Sequence, residues 1–115
     1  MRFLCLVHFD PAIIETLPPG AWAQLGQQSA AYDVALQAEG KYVIAEALMP
    51  TETARNVQMR DGQMLVSDGP ASALPEPLAG FILIEAADME EALAIGAKIP
   101  LASIGTVEVR QVMTF

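Results

Sequence analysis

His8 is the only histidine of the chain, and Asp10 follows it two residues later. Histidine is the only residue type whose side chain ordinarily titrates near neutral pH. Residues two apart in an extended segment point to the same side, so this imidazole and this carboxylate can form a pair that transfers protons. The alternative is structural: His8 forms a hydrogen bond at a strand end, and Asp10-Pro11 forms a turn.

Three further side chains are candidates for contact with a small organic ligand. Asp68 has two interpretations, a catalytic role beside His8 or a turn residue that accepts backbone amide hydrogen bonds before Gly69-Pro70. Arg55 can hold an anionic group through two parallel hydrogen bonds, although a solvated strand arginine shows the same pattern. Trp22 fits either the aromatic wall of a pocket or a helix face that packs on the core.

The elements that must position these residues follow from hydrophobic periodicity, turn signals and helix caps. Strands are predicted at residues 3–9, 42–48, 81–85 and 106–113, helices at residues 19–39 and 89–97, and a hairpin at residues 53–59 and 63–67. Without the hairpin, the order is βαββαβ. We therefore predict one domain, residues 1–115, of the α+β class: a ferredoxin-like antiparallel sheet with an inserted β-hairpin.

This topology brings the candidate residues to one end of the sheet. The first two strands end there, the strand at residues 81–85 begins there, and the loop at residues 67–80 crosses it. His8, Asp10, the start of the first helix and this loop are therefore expected to form a pocket of polar groups beside an aromatic wall.

Both central strands are apolar on both faces, yet the two helices of this fold cover only one face of the sheet. A second copy of the chain can cover the other face, as in the dimeric α/β barrels. The composition agrees, because 53% of the residues are hydrophobic and only 17% are charged. We expect a homodimer.

The charge balance restricts the classes of partner. Fourteen acidic residues stand against six basic ones, which gives a net charge of −8. Nucleic acids and acidic membrane surfaces repel such a chain. No secretion signal is evident at Met1-Arg2-Phe3, so we expect a cytoplasmic protein. One histidine, one cysteine and scattered carboxylates show no metal-ligand spacing, so no metal is expected.

Several segments in order resemble the YCII-related, DGPF-domain family. The similar segments are Met1 to Val7, Arg60-Asp61-Gly62, Val66 to Pro70, Leu78 to Ile84, Met89 to Ala92 and Val107 to Met113. One position departs from the family pattern, because Ala71 stands where the signature has phenylalanine.

The resemblance implies a ferredoxin-like dimer of the dimeric α/β barrel type with no established cofactor. In the YCII branch, a histidine near the start of the first helix and an aspartate after the second helix are a proposed active pair. The corresponding segments here, residues 18–25 and 97–101, contain neither residue. Two functions stay open: a small-molecule enzyme or binder that uses His8, Asp10 and Asp68, or a noncatalytic accessory protein. DGPF proteins are often encoded beside extracytoplasmic-function sigma factors, which motivates the second.

Overall fold

The computed structural model describes all 115 residues. Its strands are β1 (Arg2–His8), β2 (Tyr42–Ala47), β3 (Arg55–Arg60), β4 (Gln63–Asp68), β5 (Leu78–Glu85) and β6 (Thr106–Gln111). Its α-helices are α1 (Ala21–Ala38) and α2 (Met89–Ala97), and short 3-10 segments occupy Pro11–Thr16, Thr51–Thr53 and Pro100–Ser103. Neither α-helix is both long enough and apolar enough to cross a membrane.

The main sheet has four strands in the order β2-β5-β1-β6, and every neighbouring pair is antiparallel. The two strands predicted to be central, β1 and β5, lie in the middle. The α+β, ferredoxin-like prediction is therefore confirmed. The sheet is open, with β2 and β6 at its edges.

Both helices pack on one face of this sheet because alternate residues of the central strands are large and apolar. Phe3, Cys5 and Ile84 are completely buried there, and they pack with Leu36 of α1 and Ile95 of α2. Burial raises the pKa of the Cys5 thiol to about 11. The thiol is therefore neutral at physiological pH, and it behaves as an apolar core side chain.

The other face of the sheet carries no helix. Antiparallel pairing places Leu4 opposite Leu83 and Leu6 opposite Phe81 at its centre, and all four side chains are half-buried. Arg110 and Glu108 lie opposite Leu4 and Leu6 on β6, so charged residues border the apolar centre. We call this surface the open face.

Local capping explains where α2 begins. Asp88 Oδ1 accepts a hydrogen bond from the Glu91 amide at 2.8 Å, as the predicted Asp-led cap requires.

The strand β5 begins three residues earlier than predicted, at Leu78, within the expected loop. The added part of the strand contains a β-bulge, because Val7 pairs with Gly80 while His8 pairs with Leu78.

The hairpin of β3 and β4 forms a separate two-stranded sheet. Its turn residues, Asp61 and Gly62, have φ angles of 51° and 76°, which match a type I′ turn. The hairpin projects from the main sheet, and the chain measures 48 × 44 × 19 Å. The radius of gyration is 16.1 Å, whereas a compact chain of this length has roughly 13 Å.

Candidate functional site

His8 is the last residue of β1 and lies at the end of the sheet where β2 ends and β5 and β6 begin. It lines a groove of about 520 Å³. The other walls come from residues 48–54, which follow β2, and from residues 70–78 of the long loop. We call this the His8 groove.

A hydrogen bond fixes the imidazole. His8 Nδ1 lies 3.1 Å from the backbone oxygen of Glu76. A carbonyl oxygen only accepts, so Nδ1 carries the hydrogen and the neutral ring has its lone pair on Nε2. Nε2 forms no hydrogen bond within the chain. The free nitrogen can therefore accept a proton from a bound molecule.

The long loop is held over the sheet end at Glu76. Thr106 Oγ1 of β6 donates to Glu76 Oε1 at 2.6 Å, while His8 holds the Glu76 carbonyl. Sequence reasoning missed both Glu76 and Thr106. The antiparallel order of the strands contained part of the signal, because it places Thr106, the first residue of β6, opposite His8.

The chemical character of the groove is simple. His8 is the only titratable residue that lines it, and most of the wall is apolar, with threonine and serine hydroxyls between. Ala71 lies on this wall. The small side chain at that position leaves volume that a phenylalanine would occupy.

Asp10 and Trp22 do not line the groove. The Asp10 side chain accepts a hydrogen bond from the Ala12 amide at 3.0 Å and begins the 3-10 segment. This is the turn role that the sequence left open. The Trp22 ring packs on the buried Phe9 ring at a centroid distance of 5.4 Å, and 41% of the residue is exposed.

Asp68 and Arg55 lie side by side at the base of the hairpin. Arg55 Nε donates to Asp68 Oδ1 at 3.2 Å, and both side chains are largely exposed. Asp68 thus accepts from a side chain rather than from backbone amides. The Asn56 side chain supports the adjacent turn by donating to the Gly69 oxygen at 2.8 Å. Neither Asp68 nor Arg55 lines the His8 groove.

The comparisons with known proteins agree with this architecture. The YCII-related domain matches residues 1–115. The chain belongs to the YCII-related family. A relative, an uncharacterized protein of Rhizobium meliloti (strain 1021), is 37% identical over 73 residues. The match covers 62% of this chain and 59% of that protein, so the chain matches less than two thirds of the relative's length.

A solved structure of the same fold covers nearly the whole chain. It is the 5-chloro-2-hydroxyhydroquinone dehydrochlorinase TftG of Burkholderia phenoliruptrix AC1100, in complex with 2,5-dihydroxybenzoquinone. The TM-score is 0.58 at 15% sequence identity, with 98% of this YCII-related chain and 94% of TftG covered. An identity this low shows a shared fold alone.

Proposed function

We propose that this YCII-related protein is a small-molecule enzyme or binder whose ligand occupies the His8 groove. His8 Nε2 accepts a proton from the ligand, and the Glu76 carbonyl holds the ring in the required tautomer. The observation that carries the proposal is an unengaged imidazole nitrogen as the only titratable group of an open groove.

The residues that line the His8 groove restrict the chemical class of the ligand. No lysine or arginine lines the groove, so an anionic ligand finds no fixed countercharge. A ligand with an acidic hydroxyl can create its own partner by transferring that proton to Nε2, or, where the hydroxyl is already ionised in water, by binding together with a proton that Nε2 takes up from solvent. Either route leaves an imidazolium beside an oxyanion. We therefore favour small ring compounds that carry acidic hydroxyl groups.

TftG gives a first probe, because its structure contains 2,5-dihydroxybenzoquinone. The probe is titrated against the protein while amide resonances are followed by NMR. We expect saturable shifts at His8, Ala71 and Leu78, which border the groove. Shifts spread over the surface without saturation would speak against a site in the groove.

Position 71 offers a blocking variant. Ala71→Phe introduces the phenylalanine of the DGPF signature into the groove wall, so it should weaken probe binding by at least about tenfold through steric exclusion. Ala87→Phe is the matched control, because Ala87 is an exposed loop residue that follows β5 at the other end of the sheet. If both variants bind the probe like the unmodified protein, the groove is not its site.

Failure of the probe and of a metabolite library to bind would favour the noncatalytic accessory role.

We also propose that the working form is a homodimer. The open face presents Leu4, Leu6, Phe81 and Leu83, which no element of the chain covers. The hairpin adds a second uncovered apolar surface, because Val57 pairs with Val66 and Met59 with Met64 on one of its faces. These four hairpin residues are between 47% and 65% exposed. An isolated two-stranded hairpin is marginal in water, so apolar contact with a second copy would stabilise it.

A further inference from the structure

A second cavity lies on the helix-covered face of the sheet, between α1 and the strands β2 and β5. Its volume is about 200 Å³, and most of its lining residues are hydrophobic. No residue lines both this cavity and the His8 groove. We call it the helix–sheet cavity.

The helix α1 contributes an unpaired carboxylate to this cavity. Asp33 lies four residues after Ser29, so both side chains occupy the same helix face, and both line the cavity. The Asp33 carboxylate is half-buried and takes part in no ion pair. Burial raises the pKa of Asp33, which shows that the apolar surroundings penalise its charge. A hydrogen-bond donor brought to this carboxylate would relieve part of that penalty.

The remaining polar side chains of the wall also lack a free donor, and one of them, the exposed Glu46, is a second carboxylate. Ser29 Oγ donates to the Leu25 carbonyl at 2.8 Å, and the Tyr32 hydroxyl donates to the Ile95 carbonyl at 2.8 Å. Their hydroxyl protons are therefore already used. The cavity offers side-chain acceptors only, so a complementary ligand must supply the hydrogen.

The volume of the cavity and the charges around it restrict the class of ligand further. An apolar protein cavity of roughly 150 Å³ is known to hold a benzene molecule, so about 200 Å³ holds one ring with a small substituent. No lysine or arginine lines the cavity, and the chain has a net charge of −8, so anionic rings are excluded. We propose that the helix–sheet cavity binds a neutral single-ring aromatic compound with a hydroxyl group, which donates to the Asp33 carboxylate.

The test compares phenol with toluene, which has a similar size but no donor. With the unmodified protein, NMR titration should show shifts at Asp33, Ala45 and Gly80, and phenol should bind about tenfold more tightly than toluene. In Asp33→Leu the half-buried acceptor is lost and only the exposed Glu46 carboxylate of the wall remains, so the preference for phenol over toluene should fall to about twofold or less. Asp33→Asn keeps a neutral acceptor and should retain an intermediate preference.

Two further variants give the controls. Ala47→Leu places bulk at an exposed part of the cavity wall and should weaken both compounds. Val34→Leu changes the exposed residue beside Asp33 and should change neither affinity. If Asp33→Leu does not fold, the phenol preference of the unmodified protein and its reduction in Asp33→Asn still decide the question.

Three results would overturn this inference. They are equal affinities of phenol and toluene for the unmodified protein, no binding of either, and phenol shifts confined to the His8 groove. The last result would leave the proposed function standing, because the two cavities share no lining residue.

Discussion

Val7 and His8 are consecutive residues of β1 that line different cavities on opposite faces of the sheet. Val7 is buried beneath the helices, whereas the His8 ring lies at the end of the open face. The β-bulge opposite these two residues shifts the pairing of β5 by one residue, so that Leu78 rather than Ala79 is the partner of His8. The alternation of side chains along β1 thus places the unengaged base of His8 and the cavity that contains the Asp33 carboxylate on different sides of the sheet.

Amide variants of His8 can separate its two roles. An asparagine side chain places a donor near the position of Nδ1, and a glutamine side chain reaches the position of Nε2. His8→Asn should therefore keep the hydrogen bond to the Glu76 carbonyl and lose proton transfer. His8→Gln should weaken the anchoring of the loop.

Thermal unfolding and probe titration measure these effects. We expect His8→Asn to retain stability within about 1 kcal/mol and to lose probe affinity, since a neutral amide cannot become a cation. His8→Gln should lose about 1 kcal/mol of stability through the broken hydrogen bond. Equal probe affinity in the unmodified protein and His8→Asn would remove Nε2 from the proposed chemistry.

The position of His8 also depends on a glycine across the sheet end. A Cβ atom added to Gly105 would overlap the backbone oxygen of His8 and lie 2.7 Å from Phe9 Cβ. Gly105→Ala should therefore destabilise the fold by about 2 kcal/mol or more, because strand backbones must separate. Gly26→Ala is the control, since Gly26 lies within α1 with open space around it. This control should stabilise the protein by up to about 1 kcal/mol. Denaturant unfolding of both variants tests the contrast, and equal stabilities would contradict it.

Much of the fold follows from local chemistry in the sequence. The double-sided apolar strands predicted the centre of the sheet, and the Asp88 cap predicted the start of α2. The pairing of Arg55 with Asp68 could also have been predicted from the sequence, although it was missed. A two-residue turn at Asp61-Gly62 makes paired positions add to 123, which pairs residue 55 with residue 68.

The candidate site could not be predicted as well from the sequence, because it depends on contacts between residues that are far apart in the chain. Glu76 lies between two prolines, and nothing local indicates that its carbonyl meets His8 or that its carboxylate meets Thr106. Whether Asp33 forms an ion pair likewise depends on which lysine and arginine side chains come close to it in the folded chain, and the sequence does not show this. Its spacing from Ser29 on the inward face of α1 was the signal that sequence reasoning did not use.

Asp33 should make stability depend on pH. Burial raises its pKa in the folded state, so the folded chain binds the proton more tightly than the unfolded chain. The Asp33 contribution to the free energy of unfolding therefore falls as pH rises from below about 3.9 through the raised pKa of the folded state. Above that window, the cost of the buried charge is fully present.

Asp33→Asn removes this ionisation. The variant should be more stable than the unmodified protein at pH 7, by less than about 1 kcal/mol because the side chain is only half-buried. The advantage should disappear near pH 3. Urea unfolding across this range measures it, with Asp61→Asn in the exposed hairpin turn as a control for the lost charge. A gain that is the same at pH 3 and pH 7 would rule out the ionisation as its cause.

The open face gives the test of the homodimer. Leu6 lies at its centre between Phe81 of β5 and Glu108 of β6. Leu6→Glu would bury a carboxylate beside another acidic residue in the dimer, so it should weaken association by several kcal/mol. Val34→Glu introduces the same side chain on the exposed side of α1, and it should leave association unchanged. Sedimentation velocity at micromolar concentration reports the outcome. A single-chain species of the unmodified protein would contradict the dimer. An unchanged dimer in Leu6→Glu would exclude the open face as its interface and leave the apolar face of the hairpin as the surface to test.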